Sequence, residues 1–524
     1  MTKIHTLLLL CLFALVLPVA GQEAEFKKIK ESWTLRADGS QVYRHMKVLT
    51  LYTHTAMNRT YGESFITYDP RYQTLEIHES YTRQKDGNIV KTPDNAFVEV
   101  LPAAAANAPA FNALREMVVV HTGLELGATV YLDYSITSKP GYLPEINVCR
   151  QLEQSSPVKE YEISITVPQG QRLEYALDNL KSKPLVTEKE GMKQVSWVLK
   201  NLPALSREPQ VSVIGGELPL LTATTEQKPM AFLSAQWERE ADARLRTLAG
   251  KLTAGAKSDE EKVKALHSYV IDNLYYSPLP LSETAYRIRP TAEVLRSAYA
   301  TEAEKANLLA ALLRAAGLKA EIGAVCVPSA NTASLGMGSI RELFVWTEAG
   351  GRQQALSLKG KTPSAVSWQK DHAYVAMLTQ PFELNLPSAA LNKEYTLQPD
   401  KAKAKDGYLV FTLPAERRSL ANSQYVRYNS KRTSNLLLPG AADETFTYLA
   451  ETPEGMRLAT PAKKIDNAVG TLIISILPEG GQTRVVRSLK LKKQMIRPAD
   501  YAAFRQLMIE YGAVDGQTLV YKSK

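Results

Sequence analysis

Residues 301–327 leave room for one local structure, a capped helix running into a buried strand, and the rest of the chain has to fold around it. Thr301 followed three residues later by Glu304 has the form of a capping box, in which hydroxyl and carboxylate each satisfy a backbone N–H that the first turn leaves open. Leu308, Leu309, Leu312, Leu313 and Ala316 then recur at helical spacing and predict one buried stripe, and Gly317 stands where a left-handed residue closes a helix. The apolar run 322–327 predicts the following strand. Glu302 falls in the first turn, where the helix dipole favours a carboxylate, so its plain reading is helix stabilisation.

The same stretch resembles the active-site helix of the transglutaminase-like superfamily, a papain-like fold. There the pattern is tyrosine, glycine, any residue, cysteine, two residues and lysine, before a leucine-rich helix ending alanine-alanine-glycine. Here it is Tyr299, Ala300, Thr301, Glu302, Ala303, Glu304 and Lys305, before LLAALLRAAG. Glu302 therefore stands in the place of the thiol. The resemblance also puts a histidine on the strand after the helix and an aspartate on the next. ELFVWTEAGGRQQALSL reads as two strands around a Gly350-Gly351 turn, and alignment on that turn puts Glu342 at the histidine position and Ser357 at the aspartate position. No histidine lies between His267, inside another helix, and His372, beyond the second strand. The resemblance implies an α+β transglutaminase-like domain without its Cys-His-Asp chemistry.

No other cysteine takes the role. Cys11 lies in the leader, Cys149 follows Val148 in a β segment, and Cys326 ends the apolar strand after the helix, where a cysteine packs as a small hydrophobe. Lys3, the apolar run 7–19 and small residues Ala20 and Gly21 have the form of a secretory signal peptide spanning 1–21, so the mature protein is expected in the periplasm or outside the cell. Its apolar stretch is too short to span a membrane, and no later segment is long enough. Cys149 and Cys326 fall in different domains and are expected as reduced thiols outside any disulfide.

Composition narrows the partners. Of the 524 residues 45% are hydrophobic and 22% charged, enough for about three domains. The net charge of +9 is spread thinly, with no lysine or arginine run that forms a nucleic-acid patch. No zinc-spaced cluster, phosphate-cradling glycine loop, dinucleotide fingerprint or serine-hydrolase elbow occurs, so no cofactor and no metal are expected.

The organisation is β, then α+β, then β. Residues 22–228 carry alternating segments such as QVYRHMKVLTLY, TVYLDYSI, EYEISITVP and KQVSWVLK between turns at Asp38-Gly39, Asp86-Gly87 and Pro140-Gly141, which predicts a β-sandwich. The run from YDPRYQTLEIHESYT to VVVHTGLELGATVYLDYSI resembles the β domain of unknown function found ahead of transglutaminase-like domains in secreted bacterial proteins. Residues 229–387 hold the helices: Trp237, Ala241, Leu245, Leu248 and Leu252 form a stripe, and Ser258 with Glu261 reads as a second capping box before Val263, Leu266, Val270 and Leu274. Residues 388–524 return to strands and end in the helix ADYAAFRQLMIEYG, whose Tyr501, Phe504, Leu507, Met508 and Tyr511 predict a packed face; this third resembles the C-terminal β domain of the same secreted family.

Two function classes follow. One is an exported, non-catalytic protein that binds a peptide, protein or envelope glycan at the former active site, where Glu302 makes cationic or hydrogen-donating groups the preferred ligands. The other is an enzyme with rebuilt acid–base chemistry, in which Glu302 and Glu342 form a carboxylate pair able to work on a glycosidic bond. Arg287 and Arg289, just ahead of the helix, are the candidates for clamping a ligand carboxylate.

Overall fold

The computed structural model describes residues 22–208, 218–228, 230–359, 374–377, 390–397, 403–414, 419–422, 431–438, 443–493, 495–513 and 517–523. The expected leader with Cys11, and His372, lie outside them. The chain divides into two compact units, one of Met1–Leu205, Ala223–Gln227 and Ser277–Arg287, the other of Ser206–Thr222, Lys228–Tyr276 and Ile288–Lys524.

The first unit is β-rich. Its main sheet combines β1 (Ala24–Leu35), β2 (Gln41–Leu51), β4 (Gln73–Arg83), β5 (Ile89–Lys91), β8 (Thr129–Ser138), β10 (Val158–Pro168), β12 (Leu185–Lys189) and β13 (Met192–Leu202), in the order β12-β13-β10-β1-β2-β8-β4-β5. β1 and β10 run parallel, with Ser32 opposite Ser164, while β1 and β2 are antiparallel. A smaller sheet of β3 (Glu63–Tyr68), β7 (Arg115–Val120) and β6 (Phe97–Val100) packs on one face of the large one, burying Ile66 and Val119 against Leu132. Period-two alternation produces this: Ile66 and Leu132 point inward because each lies two residues from another inward neighbour. β9 (Asn147–Gln151) carries Cys149 and, like β11 (Glu174–Asp178), lies outside both sheets. Charge is also buried here. The Glu31 carboxylate is fully enclosed and accepts from the hydroxyls of Tyr43 and Tyr161 and from the Arg150 guanidinium, whose charge holds it well below the usual carboxylate range despite burial.

In the second unit the longer helices Ala243–Thr253, Asp259–Asp272 and Glu302–Ala315, with the shorter Thr291–Ser297, pack around an antiparallel sheet in the order Arg352–Ser357, Ile340–Ala349, Ala320–Cys326, Tyr374–Met377. The Glu302–Ala315 helix is the central element. It is enclosed on every side from Ala303 to Leu313, rather than along the single leucine stripe expected, because helices and sheet both pack on it. Gly317 closes it at φ +82°. Trp237 and Ala241 do not belong to the helical stripe: Asp242 caps the helix by accepting from Leu245 N–H, so the helix starts after both. Ser258 caps the next helix through Glu261 N–H, but the Glu261 carboxylate accepts from Lys257 N–H, so this capping box is only half formed.

The C-terminal region of this unit is again β-rich. A five-stranded sheet, ordered Ala390–Leu397, Asp443–Glu451, Gln482–Leu491, Gly470–Glu479, Lys463–Asp466, is accompanied by a four-stranded sheet that includes Tyr408–Thr412. The helix Tyr501–Gly512 buries Tyr501, Phe504, Leu507, Met508 and Tyr511 in their common core, the face expected. One more strand, Thr518–Ser523, follows it and pairs with Tyr408–Thr412.

Candidate functional site at the helix N-terminus

The first turn of the Glu302–Ala315 helix is fixed from both directions. Thr301 Oγ1 accepts from Glu304 N–H at 3.4 Å, and the Glu304 carboxylate accepts from Thr301 N–H at 2.8 Å, completing the capping box. That carboxylate is fully enclosed. Arg289 meets it as a fork, Nε to Oε1 at 2.8 Å and Nη2 to Oε2 at 2.9 Å, and donates further to Ser297 Oγ and the Tyr299 carbonyl. Its guanidinium lies 4.2 Å from the centre of the Tyr299 ring. Arg289 is thus committed to the helix end, where its donors hold Glu304, Ser297 and Tyr299. Arg287, in the first unit, donates to the carbonyls of Gly141 and Tyr142 and sits over the Tyr142 ring.

Glu302, the first helical residue, turns toward the sheet. Its Oε1 accepts from Leu343 N–H at 3.1 Å and its Oε2 lies 3.2 Å from Lys359 Nζ. Beside it, Glu342 accepts from Ser357 Oγ at 3.4 Å. The three positions aligned by the sequence pattern therefore come together: helix N-terminus, strand Ile340–Ala349 and the end of strand Arg352–Ser357. The turn that sets their register needs Gly350 and Gly351, at φ +57° and +71°, joining Ala349 to Arg352.

Electrostatics ties the groups into one network. Burial pushes the Glu302 carboxyl above its ordinary value, opposed by Lys359 and the Leu343 N–H. Burial likewise raises Glu342, with the Glu302 charge adding to the rise and Lys359 opposing it. Burial also raises the Tyr276 hydroxyl, helped by Glu302. Partial burial lowers the Lys359 amine, but Glu302, joined by Tyr276 and Glu342, more than offsets this and raises it above its ordinary value. One lysine thus balances two carboxylates, and Glu302 carries its own counter-cation.

Two further basic groups lie beneath. Lys305 is almost completely buried, its ammonium 5.6 Å from the Tyr276 ring, and burial lowers its basicity. His267 Nε2 donates to the Ser357 carbonyl at 2.7 Å, while burial pulls the imidazole below its usual range. His267 Nδ1 is buried without a hydrogen-bond partner. Sequence reasoning set His267 aside as a residue of a different helix, yet Val263, Leu266, His267 and Val270 share one helical face, which is the signal for an inward histidine. It also missed Lys359, which lies two residues past the end of the strand Arg352–Ser357 and donates its backbone N–H to Ser357 Oγ.

Cys326 ends its strand 1% exposed, paired with Ile340 and Tyr374. Neither Cys149 nor Cys326 is disulfide-bonded. Among the described residues no group of three or more His, Cys, Asp or Glu side chains is placed to hold a metal ion, and no helix is long and apolar enough to cross a membrane.

Family models match three parts of the chain: a domain of unknown function, DUF3857, at residues 37–206; the transglutaminase-like superfamily at 246–378; and a second domain of unknown function, DUF3858, at 408–521. A crystal structure of a "putative protease" from Parabacteroides distasonis ATCC 8503 is 41% identical with a TM-score of 0.84, covering 96% of this chain and 100% of that one. An M1 zinc metallopeptidase from Deinococcus radiodurans, in a variant bound to a Tyr-Ser-Ala substrate, is 14% identical over 51% of this chain and 59% of its own, with a TM-score of only 0.21. No curated protein matches.

Proposed function

We infer, from the premise that this chain belongs to the transglutaminase-like superfamily, that it is an exported protein whose former active site binds a peptide, protein or envelope glycan and performs no thiol chemistry. The observation that carries this reading is the identity of the three residues brought together. Glu302, Glu342 and Ser357 supply two carboxylates and a hydroxyl, no thiol joins them among the described residues, and the His267 imidazole alongside is tied through Nε2 to the Ser357 carbonyl. A thiol-peptidase activity, one reading of the name given to the Parabacteroides distasonis protein, would need a cysteine where this chain has Glu302. Glu302 is 19% exposed and bonded on both oxygens, so an incoming hydrogen-bond donor would compete with Lys359, which is 46% exposed.

The experiment is calorimetric titration of the full chain with a lysine-containing peptide amide and with a neutral oligosaccharide, repeated on Glu302→Gln. A charge-assisted hydrogen bond contributes roughly 1.5–3 kcal/mol, so the variant should bind about tenfold or more weakly while melting as the wild type does. Equal affinity would move binding to the flanking β domains.

A second reading keeps the site enzymatic, supported by the raised carboxyls of Glu302 and Glu342. Acid–base work on a glycosidic bond would use one as acid and the other as base. Hydrolysis of aryl glycosides with a bell-shaped pH profile, lost in both Glu302→Gln and Glu342→Gln, is its signature.

A further inference from the structure

We propose that the open face of the large sheet in the N-terminal domain binds a neutral, hydroxyl-rich oligosaccharide. This face lies opposite the one covered by the small sheet, and it is hollowed into a concavity of about 590 Å³. That volume falls in the range of small-molecule clefts, roughly 300–1,000 Å³.

The hollow has a cause in the sequence. Strand registers align Ser196 with Ser164 and Ser164 with Ser32 in one cross-strand row, and Gln194 with Thr166 and Thr166 with Thr34 in the next. Five short hydroxyl side chains and the Gln194 amide therefore tile the centre of β13, β10 and β1. The row offers donors and acceptors at strand spacing, about 4.8 Å. Gln194 donates to Thr166 and Ser196 leans on the Leu185 carbonyl, whereas the hydroxyls of Ser32, Ser164 and Thr34 make no hydrogen bond to other described residues.

Charge selects the ligand class. Arg44 forks onto Asp133 at 2.9 and 2.6 Å, Lys28 meets Glu160 and Glu162, and Lys30 lies 3.5 Å from Glu162. Within the lining of the hollow Arg44 answers Asp133 and Lys30 answers Glu162, while Glu31 is held by Arg150, so the charges there are paired and none is left to attract an ionic ligand. Tyr131 lines the hollow and stacks on Tyr81, ring centres 4.9 Å apart and 9° from parallel, which makes a flat, braced aromatic surface for the C–H face of a sugar ring. A peptide added as a strand is excluded on this surface, because β1, β10 and β13 are paired on both sides and the sheet edges are β12 and β5.

Affinity electrophoresis of the full chain through gels containing dextran, xylan or mannan tests the proposal, with polygalacturonate as the acidic control. The expected result is retardation by at least one neutral polysaccharide, insensitive to salt and unchanged in Glu302→Gln, which separates this site from the one at the helix N-terminus. Ser164→Trp fills the floor of the hollow and should abolish retardation; Gln194→Ala, a milder change, should weaken it several-fold and serves if the tryptophan variant misfolds. Lys189→Ala, on the strand at the sheet edge, should migrate as wild type. Retardation by none of the neutral gels, retardation only by polygalacturonate, or full retardation of both hollow variants would overturn the proposal.

Discussion

Arg289→Ala separates a structural arginine from a ligand clamp. The substitution removes the fork onto Glu304 and the bonds to Ser297 and the Tyr299 carbonyl. Among the described residues it leaves the fully enclosed Glu304 carboxylate with two backbone donors, Thr301 N–H and the N–H of residue 289 itself. Removing one partner of a buried pair costs about 3–5 kcal/mol, because the remaining charge loses its compensation out of water. The cost falls on the helix that carries Glu302. Hydrogen exchange read by mass spectrometry localises it: amides of the Glu302–Ala315 helix that exchange by opening should speed up by roughly two to three and a half powers of ten. Strands of the N-terminal domain should exchange as before. Unchanged helix exchange would refute the reasoning and return Arg289 to the list of ligand contacts.

Burial pulls the Lys47 amine down to about 8, and its Nζ lies 2.6 Å from Ser64 Oγ, itself 2.8 Å from His121 Nε2. Because the folded value lies below the unfolded one of about 10.4, folding releases a proton the unfolded chain keeps, so stability should rise by about 3 kcal/mol as pH climbs from about 8 through 10.4. Urea midpoints at pH 7 and pH 10 should show about 2.5 kcal/mol of that rise in the wild type and lose it in Lys47→Met; equal slopes would contradict the burial. A Cβ at Gly323 would meet Phe344 Cζ at 2.1 Å, so Gly323→Ala should destabilise the transglutaminase-like domain by about 1–3 kcal/mol, seen as earlier melting. Thr301→Ala, which removes the cap of the central helix, should cost about 1 kcal/mol by the same measurement, and no change would mean the cap is replaced by water.

What was legible in the sequence was what short-range chemistry decides. Thr301, Glu304 and Gly317 determine a helix by contacts within one turn of each end, and all three act as read. The Gly350-Gly351 turn sets a hairpin register, and that register brings Glu342 to Ser357. Trp237 and Ala241 were misassigned because apolar spacing ran on past Asp242, whose capping carboxylate was the stronger signal. Partners chosen across the fold left no local trace. Arg289 and Glu304 are fifteen residues apart and meet only once the loop packs on the helix. The parallel pairing of β1 with β10 joins residues more than a hundred apart, so alternation identifies each strand without naming its neighbour.

The central claim is a transglutaminase-like fold without thiol chemistry, and its most direct measurement is turnover of the purified protein before and after thiol alkylation. Amine incorporation into a glutamine substrate and cleavage of a fluorogenic peptide library should both stay at the uncatalysed rate, with or without iodoacetamide and equally in Cys326→Ala. Turnover that is lost on alkylation and in Cys326→Ala would contradict it, since it would show that a cysteine 1% exposed at a strand end has become the nucleophile.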